Sequence, residues 1–250
     1  MWLAGGSAVH LATEKYDRMA VNCVEKAFHA GAVWERYFDK ELAEAFEREP
    51  DYYKWGSAKT EPPEVWRTIG LEFVQNYVDW RKRSPWEIWT APDGQPAIEL
   101  DVSGRLPGCD VEIKAFLDRV FWDPVFKKLW IVDLKTGKKP PATAAQFETY
   151  AALLKVKYDV DVHDGAAFMN RKATLSTPYD LSKTTPEGVG EVYGEAWEQI
   201  QGYAKAGRWP ANTSDCFLCD VKAACAAQNG PLAAQYDPES PGHPSNTPPF

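Results

Sequence analysis

The chain reads as an α/β protein, a mixed sheet core carrying helical additions, and three features of the sequence point there. Its first third repeats apolar residues at helical spacing, with Phe38, Leu42 and Phe46 on one stripe. Near Gln95 the pattern changes to short β-rich runs separated by turn residues. Between residues 128 and 171 a strand, a helix and a second strand follow one another, and such a crossover places a parallel pair in the sheet. With 250 residues, 44% of them hydrophobic, the chain is long enough to bury a core.

Taken in order, residues 7 to about 30 and 34–49 read as helices. A third is predicted from 64 to about 81, between breaks at Pro50, Pro62-Pro63 and Pro85. Strands over 97–102, 111–122 and 128–134 follow as an antiparallel meander, with turn chemistry at Asp110 and Asp123-Pro124. Gly137 and Pro140-Pro141 end the third strand. A helix over 144–158 brings Phe147, Ala151 and Leu154 to one face, and a fourth strand covers 165–171. Residues 174–190, rich in Ser, Thr, Pro and Gly, read as a loop before a last amphipathic helix over 191–205. Six prolines from Pro231 to Pro249 mark a disordered tail.

A net charge of −8 argues against a protein that coats nucleic acid by bulk electrostatics. A local site is compatible with it, because Lys127, Lys128, Lys135, Lys138, Lys139, Lys155 and Lys157 concentrate in one region while acids crowd residues 35–51. No apolar run of membrane-spanning length and no signal-peptide pattern occurs, so a soluble cytoplasmic protein is expected.

The strongest chemical signal is Ile131-Val132-Asp133-Leu134-Lys135-Thr136-Gly137-Lys138, an apolar strand ending in an acid and a lysine two positions apart. Side chains alternate along a strand, so Asp133 and Lys135 share a face while Leu134 turns into the core. A carboxylate there can hold a divalent metal, and the ammonium can orient water or offset charge on a phosphate. Asp118 lies in the preceding strand inside the apolar run Ala115-Phe116-Leu117-Asp118-Arg119-Val120. An acid so placed needs a partner, and a metal shared with Asp133 would be one.

An acid on one strand followed by acid-X-Lys on the next resembles the PD-(D/E)XK nucleases. Gly6-Ser7-Ala8-Val9-His10 is similar to the Gly-X-X-X-His motif of their RecB-like branch, and Gln146-Phe147-Glu148-Thr149-Tyr150 to its Gln-X-X-X-Tyr motif, each in the family's order. The resemblance spans roughly residues 6–225, with a helical insertion over about 32–84. It implies a restriction-endonuclease-like core in which His10, Asp118, Asp133 and the Leu134 carbonyl hold Mg²⁺ or Mn²⁺. Lys135 would be the catalytic lysine, Gln146 and Tyr150 would reach toward it or the phosphate backbone, and Glu99 would be an accessory acid. Neutral imidazole suits Mn²⁺ and is tolerable for Mg²⁺ beside two carboxylates. Read on its own residues, Gln146 also fits a capping box with Thr143, which would leave Tyr150 as half-buried packing.

Cys216, Cys219 and Cys225 give C-X2-C-X5-C, a spacing that brings three thiolates to one centre. In a RecB-like nuclease this resembles the iron–sulfur staple of AddB-like proteins and CRISPR-associated RecB-type exonucleases, where a cysteine before the Gly-X-X-X-His motif completes a 4Fe-4S cluster. Here no cysteine precedes Gly6. Cys23 is a candidate fourth ligand, although thirteen residues of helix from His10 amount to about 20 Å of rise. A structural Zn²⁺ is the rival occupant, and a buried, non-ligating role is the alternative for Cys23.

Eleven tryptophans are many for this length, and Trp80-Arg81-Lys82-Arg83 with Trp86 and Trp89 interleaves aromatic and basic groups that could stack unpaired bases or pack a core. The expected organisation is a helical region over 1–94, a nuclease core over 95–172, a C-terminal helix with the cysteine cluster over 173–229 and the tail over 230–250. The resemblance implies an exonuclease acting on DNA ends or single strands, in recombination, repair or CRISPR-type processing. Recombination or CRISPR adaptation proteins would be its partners, in a bacterial cell or a phage's host. The competing reading is a catalytically idle DNA-binding or assembly module, which intact Asp118, Asp133 and Lys135 argue against.

Overall fold

A computed structural model describes residues 2–51, 55, 61–207, 210, 216, 219 and 225. The chain divides into two units, Met1–Trp197 and Glu198–Phe250. The proline-rich tail lies outside the described residues.

Helices α1 (Trp2–Val21), α2 (Ala30–Arg48) and α3 (Pro63–Arg83) precede strands β1 (Glu87–Ile88), β2 (Ile98–Asp101), β3 (Phe116–Asp123) and β4 (Lys128–Lys135). Helix α4 (Ala145–Tyr158), strands β5 (Asp164–Met169), β6 (Thr174–Leu175) and β7 (Tyr179–Asp180), and helix α5 (Pro186–Ala206) complete the order. The sheet runs β1-β3-β4-β5-β6, with β2 also on β3 and β7 also on β5. β3 and β4 pair antiparallel, with Arg119 opposite Val132, whereas β4 and β5 are parallel, with Asp133 opposite Ala167. The sheet is therefore mixed, and α4 is the crossover that the parallel pair requires.

Period-two alternation gives the sheet two apolar faces. Phe121, Val132, Leu134 and Phe168 pack with Val9, Trp34, Trp66, Phe73 and Tyr77 of the first three helices. Val120, Ile131, Ala167 and Met169 pack with Phe147, Ala151 and Leu154 of α4. Each large side chain buried this way stabilises the fold by about 1.5–3 kcal/mol.

Two glycines set how closely the site-bearing helices approach. A Cβ at Gly5 would overlap the Trp66 indole, so α1 seats on α3 only because that position has none. A Cβ at Gly165 would lie 2.8 Å from the Phe147 ring, and α4 crosses β5 through the same economy of space.

Three expectations need correction. The first helix stops at Val21, not near Ala30, because the chain turns at Cys23 with φ +58 and then forms a short 3-10 turn over Glu25–Ala27. β3 begins at Phe116 rather than 111, since 102–115 make only isolated pairings such as Val102 N–H to the Ala115 carbonyl at 2.9 Å. The stretch 174–190 is not all loop: β6 and β7 lie in it, and α5 starts at Pro186. Thr185 Oγ accepts the Gly188 N–H at 3.1 Å there, and Gly190 and Gly194 serve close packing, because a Cβ on either would overlap the carbonyl of Pro107 or Gly108.

The Trp80–Trp89 segment is packing rather than an open nucleic-acid surface. Trp80 lies 4.7 Å from Phe168, and Trp86 stacks on Trp130 at 5.0 Å. Arg81 Nε donates to buried Asp17 Oδ1 at 3.0 Å, and Trp89 meets Tyr158 edge-on at 6.1 Å.

Candidate active site

Strand alternation presents Asp133 and Lys135 on the α4 face, and the β3–β4 register, continued one step past Arg119–Val132, sets Asp118 across from Asp133. Asp118 is fastened twice. Its Oδ2 accepts the Leu134 N–H at 2.6 Å, and its Oδ1 lies 3.3 Å from His10 Nδ1. His10 arrives on α1, and its Nε2 meets the Leu134 carbonyl at 2.9 Å. The sheet thus brings His10, Asp118, Asp133 and the Leu134 carbonyl together, as the motif order predicts.

Glu99 belongs in this group more closely than an accessory acid would. One ligand atom each from His10, Glu99 and Asp118 lie within 4.8 Å of one another, and among the described residues this is the one group of three His, Cys, Asp or Glu side chains that converges so. The β2 backbone takes φ +49 at Glu99, a left-handed conformation that persists only where surrounding contacts hold it. Arg119 Nη1 supplies one such contact, donating to Glu99 Oε1 at 3.2 Å.

Beneath the acids lies a network that sequence reasoning missed. Asp17 and Arg119 are both wholly buried, and Arg119 Nε donates to Asp17 Oδ2 at 2.6 Å. Arg81 Nε and the Tyr77 hydroxyl donate to the same carboxylate. The available signal was Asp17 at i+4 from Thr13 and i+8 from Val9, an acid on the buried stripe of α1.

The α4 residues close the other side. Gln146 Nε2 donates to Asp133 Oδ1 at 2.8 Å and to the Tyr150 hydroxyl at 2.8 Å, and Lys135 Nζ reaches Gln146 Oε1 at 3.4 Å. The capping-box alternative is not formed, since Ala144 is the N-cap and makes no side-chain cap bond. Lys135 Nζ stands 2.7 Å from Asp133 Oδ2, close enough for an ion pair yet off the direction of a hydrogen bond. Asp133 Oδ2 is therefore a buried carboxylate oxygen without a directed donor.

Charge follows from this crowding. Burial, then the Asp118 charge, pushes Asp133 up to about 6 against the pull of Lys135. Burial and Asp118 also raise Glu99. Burial would raise Asp118 too, but His10 and the Leu134 N–H outweigh it and hold that carboxyl low. For His10 burial favours the neutral ring, and the Asp118, Glu99 and Asp133 carboxylates overcome it and raise the imidazole.

These donors fit a divalent cation. Two carboxylates and one imidazole, those of Glu99, Asp118 and His10, lie within 4.8 Å of one another; on the neighbouring strand Asp133 keeps one carboxylate oxygen without a directed partner, and Glu99 and Asp133 are both pushed above their ordinary values.

The cysteines are placed less fully. Cys23 is exposed just past α1, Cys109 is buried, and Cys216, Cys219 and Cys225 fall in the second unit. Cys219 N–H donates to the Cys216 carbonyl at 3.4 Å. Among the described residues no three cysteine thiols gather at ligand spacing.

A mixed sheet that gathers an acid, an acid-X-Lys strand end and a helix-borne Gln-X-X-X-Tyr defines the class of metal-dependent phosphodiester hydrolases built on this core. The chain belongs to the PD-(D/E)XK nuclease superfamily, which matches residues 3–226. It is similar to the "Gene 69 protein" of Mycobacterium phage L5, 28% identical over 255 residues covering 90% of this chain and 85% of that protein. The "Gene 69 protein" of Mycobacterium phage D29 is 29% identical over 235 residues, covering 90% and 84%. Membership implies a nuclease that binds nucleic acid and uses a divalent metal. No helix among the described residues is long and apolar enough to cross a membrane.

Proposed function

We propose that this protein is a Mg²⁺- or Mn²⁺-dependent deoxyribonuclease, acting as an exonuclease on DNA ends or single strands. The observation that carries the reading is Asp133: buried, raised to about 6, ion-paired with Lys135 and one strand away from the His10–Glu99–Asp118 group.

His10, Asp118, Asp133 and the Leu134 carbonyl would hold the metal, with Glu99 completing the set. The cation would supply the Lewis acidity that phosphodiester hydrolysis needs. Lys135, tethered between Asp133 and Gln146, places its ammonium beside the attacking water and the charge that grows on the phosphate. Gln146 and Tyr150 keep Lys135 and Asp133 aligned from α4. Arg119 acts through Glu99 as a positioning residue, fixing its carboxylate from below.

Cys216, Cys219 and Cys225 would hold a structural 4Fe-4S cluster, or zinc, with Cys23 as a candidate fourth ligand. The support is their spacing alone, and no step of hydrolysis runs through it. Iron, sulfide and zinc analysis of the purified protein decides between cluster, zinc and neither. The phage origin of the relatives supports a place in the cytoplasm of an infected cell, in recombination, repair or CRISPR-type processing with the matching protein partners.

The test is cleavage of end-labelled single- and double-stranded DNA with Mg²⁺, Mn²⁺ or EDTA, comparing the parent with Lys135→Ala. Metal-dependent release of mononucleotides, reduced about 100-fold or more in the variant, supports the exonuclease. Folded parent protein that binds DNA without cutting it would move the reading to an idle binding module.

A further inference from the structure

The aromatic and basic groups that the core absorbs around Trp80 have a counterpart on the surface. Two clefts meet at Trp2 and Thr136. One, of about 530 Å³, is bounded by His10, Glu99, Glu14 and Glu41, and the other, of about 630 Å³, by Trp66, Lys138, Lys139 and Arg171. The first is acidic and suits a cation. The second carries the positive charge.

Lys138 and Lys139 are exposed, and neither has a carboxylate partner among the described residues. Arg171 is otherwise engaged, with Glu61 at 3.2 Å and the Phe73 ring beneath its guanidinium at 4.8 Å. Trp2 leaves 47% of its surface exposed at the mouth shared by both clefts. Trp66 is buried at the edge of the basic cleft, and its indole Nε1 finds no acceptor. Through Trp2 and Thr136 the basic cleft adjoins the one bounded by His10 and Glu99.

We infer that the cleft between Trp2 and Lys138–Lys139 is a subsite for an unpaired nucleotide, whose base stacks on the Trp2 indole and whose phosphate rests on the two lysines. A base stacked inside a duplex has no free face to offer, so the subsite selects single strands or frayed ends. In a protein with net charge −8, this local pair of unpaired lysines also supplies the phosphate contact that the chain as a whole opposes. Binding at the subsite deepens the nuclease reading by naming the form of substrate, and it rests on that reading only for the cleavage step after binding.

The experiment measures binding of a fluorescein-labelled oligothymidylate by anisotropy in EDTA, using the full chain. Trp2→Ala weakens binding by about 5- to 150-fold, the range for one lost base stack, and Trp2→Phe restores most of it. Lys138→Ala with Lys139→Ala reduces the slope of log affinity against log salt by roughly 1.4. Binding of a blunt duplex is the same for parent and Trp2→Ala. The inference is overturned if Trp2→Ala, melting at the parent's temperature, holds the oligothymidylate as tightly as the parent does. Should that variant melt early, the lysine pair, both exposed, decides: an unchanged salt slope overturns the subsite and a reduced one upholds it. Because EDTA stops metal-dependent cleavage, a chain that binds in this way but never cuts would overturn the nuclease reading and leave the subsite standing.

Discussion

Gln146 Nε2 donates to Asp133 Oδ1 at 2.8 Å, joining a helix amide to the strand carboxylate that carries the site. The same nitrogen donates to Tyr150, so one amide links three side chains from two elements. Gln146→Ala frees Asp133 and Lys135 from this tether. Cleavage falls about 10- to 100-fold while stability changes by less than about 2 kcal/mol. Steady-state rates with Mg²⁺ alongside urea denaturation check both halves, and an unaltered rate would remove Gln146 from the site.

Asp17 answers three donors at once in a wholly buried position. Asp17→Ala strands the guanidinium groups of Arg81 and Arg119, and breaking a buried pair from one side costs about 3–5 kcal/mol. The urea midpoint drops accordingly. A midpoint equal to the parent's would show that the two arginines find other acceptors.

Metal-free stability depends on pH in a direction set by the acids. Glu99 and Asp133 are raised from 4.5 and 3.8, and His10 is raised from 6.5, so each binds its proton more tightly folded than unfolded. Stability linked to them is complete below about 4 and is lost as pH rises through about 6 and beyond. Asp118, held low, has the opposite sign and acts only below its ordinary 3.8. In EDTA the melting temperature therefore falls from pH 5 to pH 7.5, and Asp133→Asn flattens part of that slope. Mn²⁺ at roughly 100 times its dissociation constant adds about 2.7 kcal/mol in the parent, and much less in Asp118→Asn.

Gly165 faces the Phe147 ring at a distance that leaves no room for a side chain. Gly165→Ala costs about 1–3 kcal/mol by overpacking, and the loss shrinks when Phe147→Leu is added. A double-mutant cycle by urea denaturation reads the coupling. Full additivity would place the strain elsewhere than at this crossing.

Much of the site was legible because strand chemistry is local. Asp133 and Lys135 stand two apart on a strand whose apolar flanks announce its burial, and Asp118 is conspicuous as a charge among apolar neighbours. Glu99 was undervalued because its approach depends on a left-handed backbone that alternation cannot reveal. Asp17 was visible as an acid on an apolar stripe, but its partners Arg81 and Arg119 lie 64 and 102 residues away, and one sequence does not pair them.

The fold shows the same division. Helix and strand cores followed periodicity, and the crossover from β4 to β5 followed from their order. The start of α5 was hidden because Gly188 and Gly190 look like loop residues until Pro107 is seen to pack on the second. Tryptophan spacing around Trp80 likewise could not separate a stacking surface from an aromatic core.

His10 and Leu134 touch across 124 residues of chain, the first on the opening helix and the second on a central strand. A ribosome releases α1 long before β4 exists, and a protease that removes α1 takes His10 away from Leu134. Under the proposed function, hydrolysis would await a complete chain, because a fragment lacking α1 or β4 carries only one side of the His10–Leu134 contact.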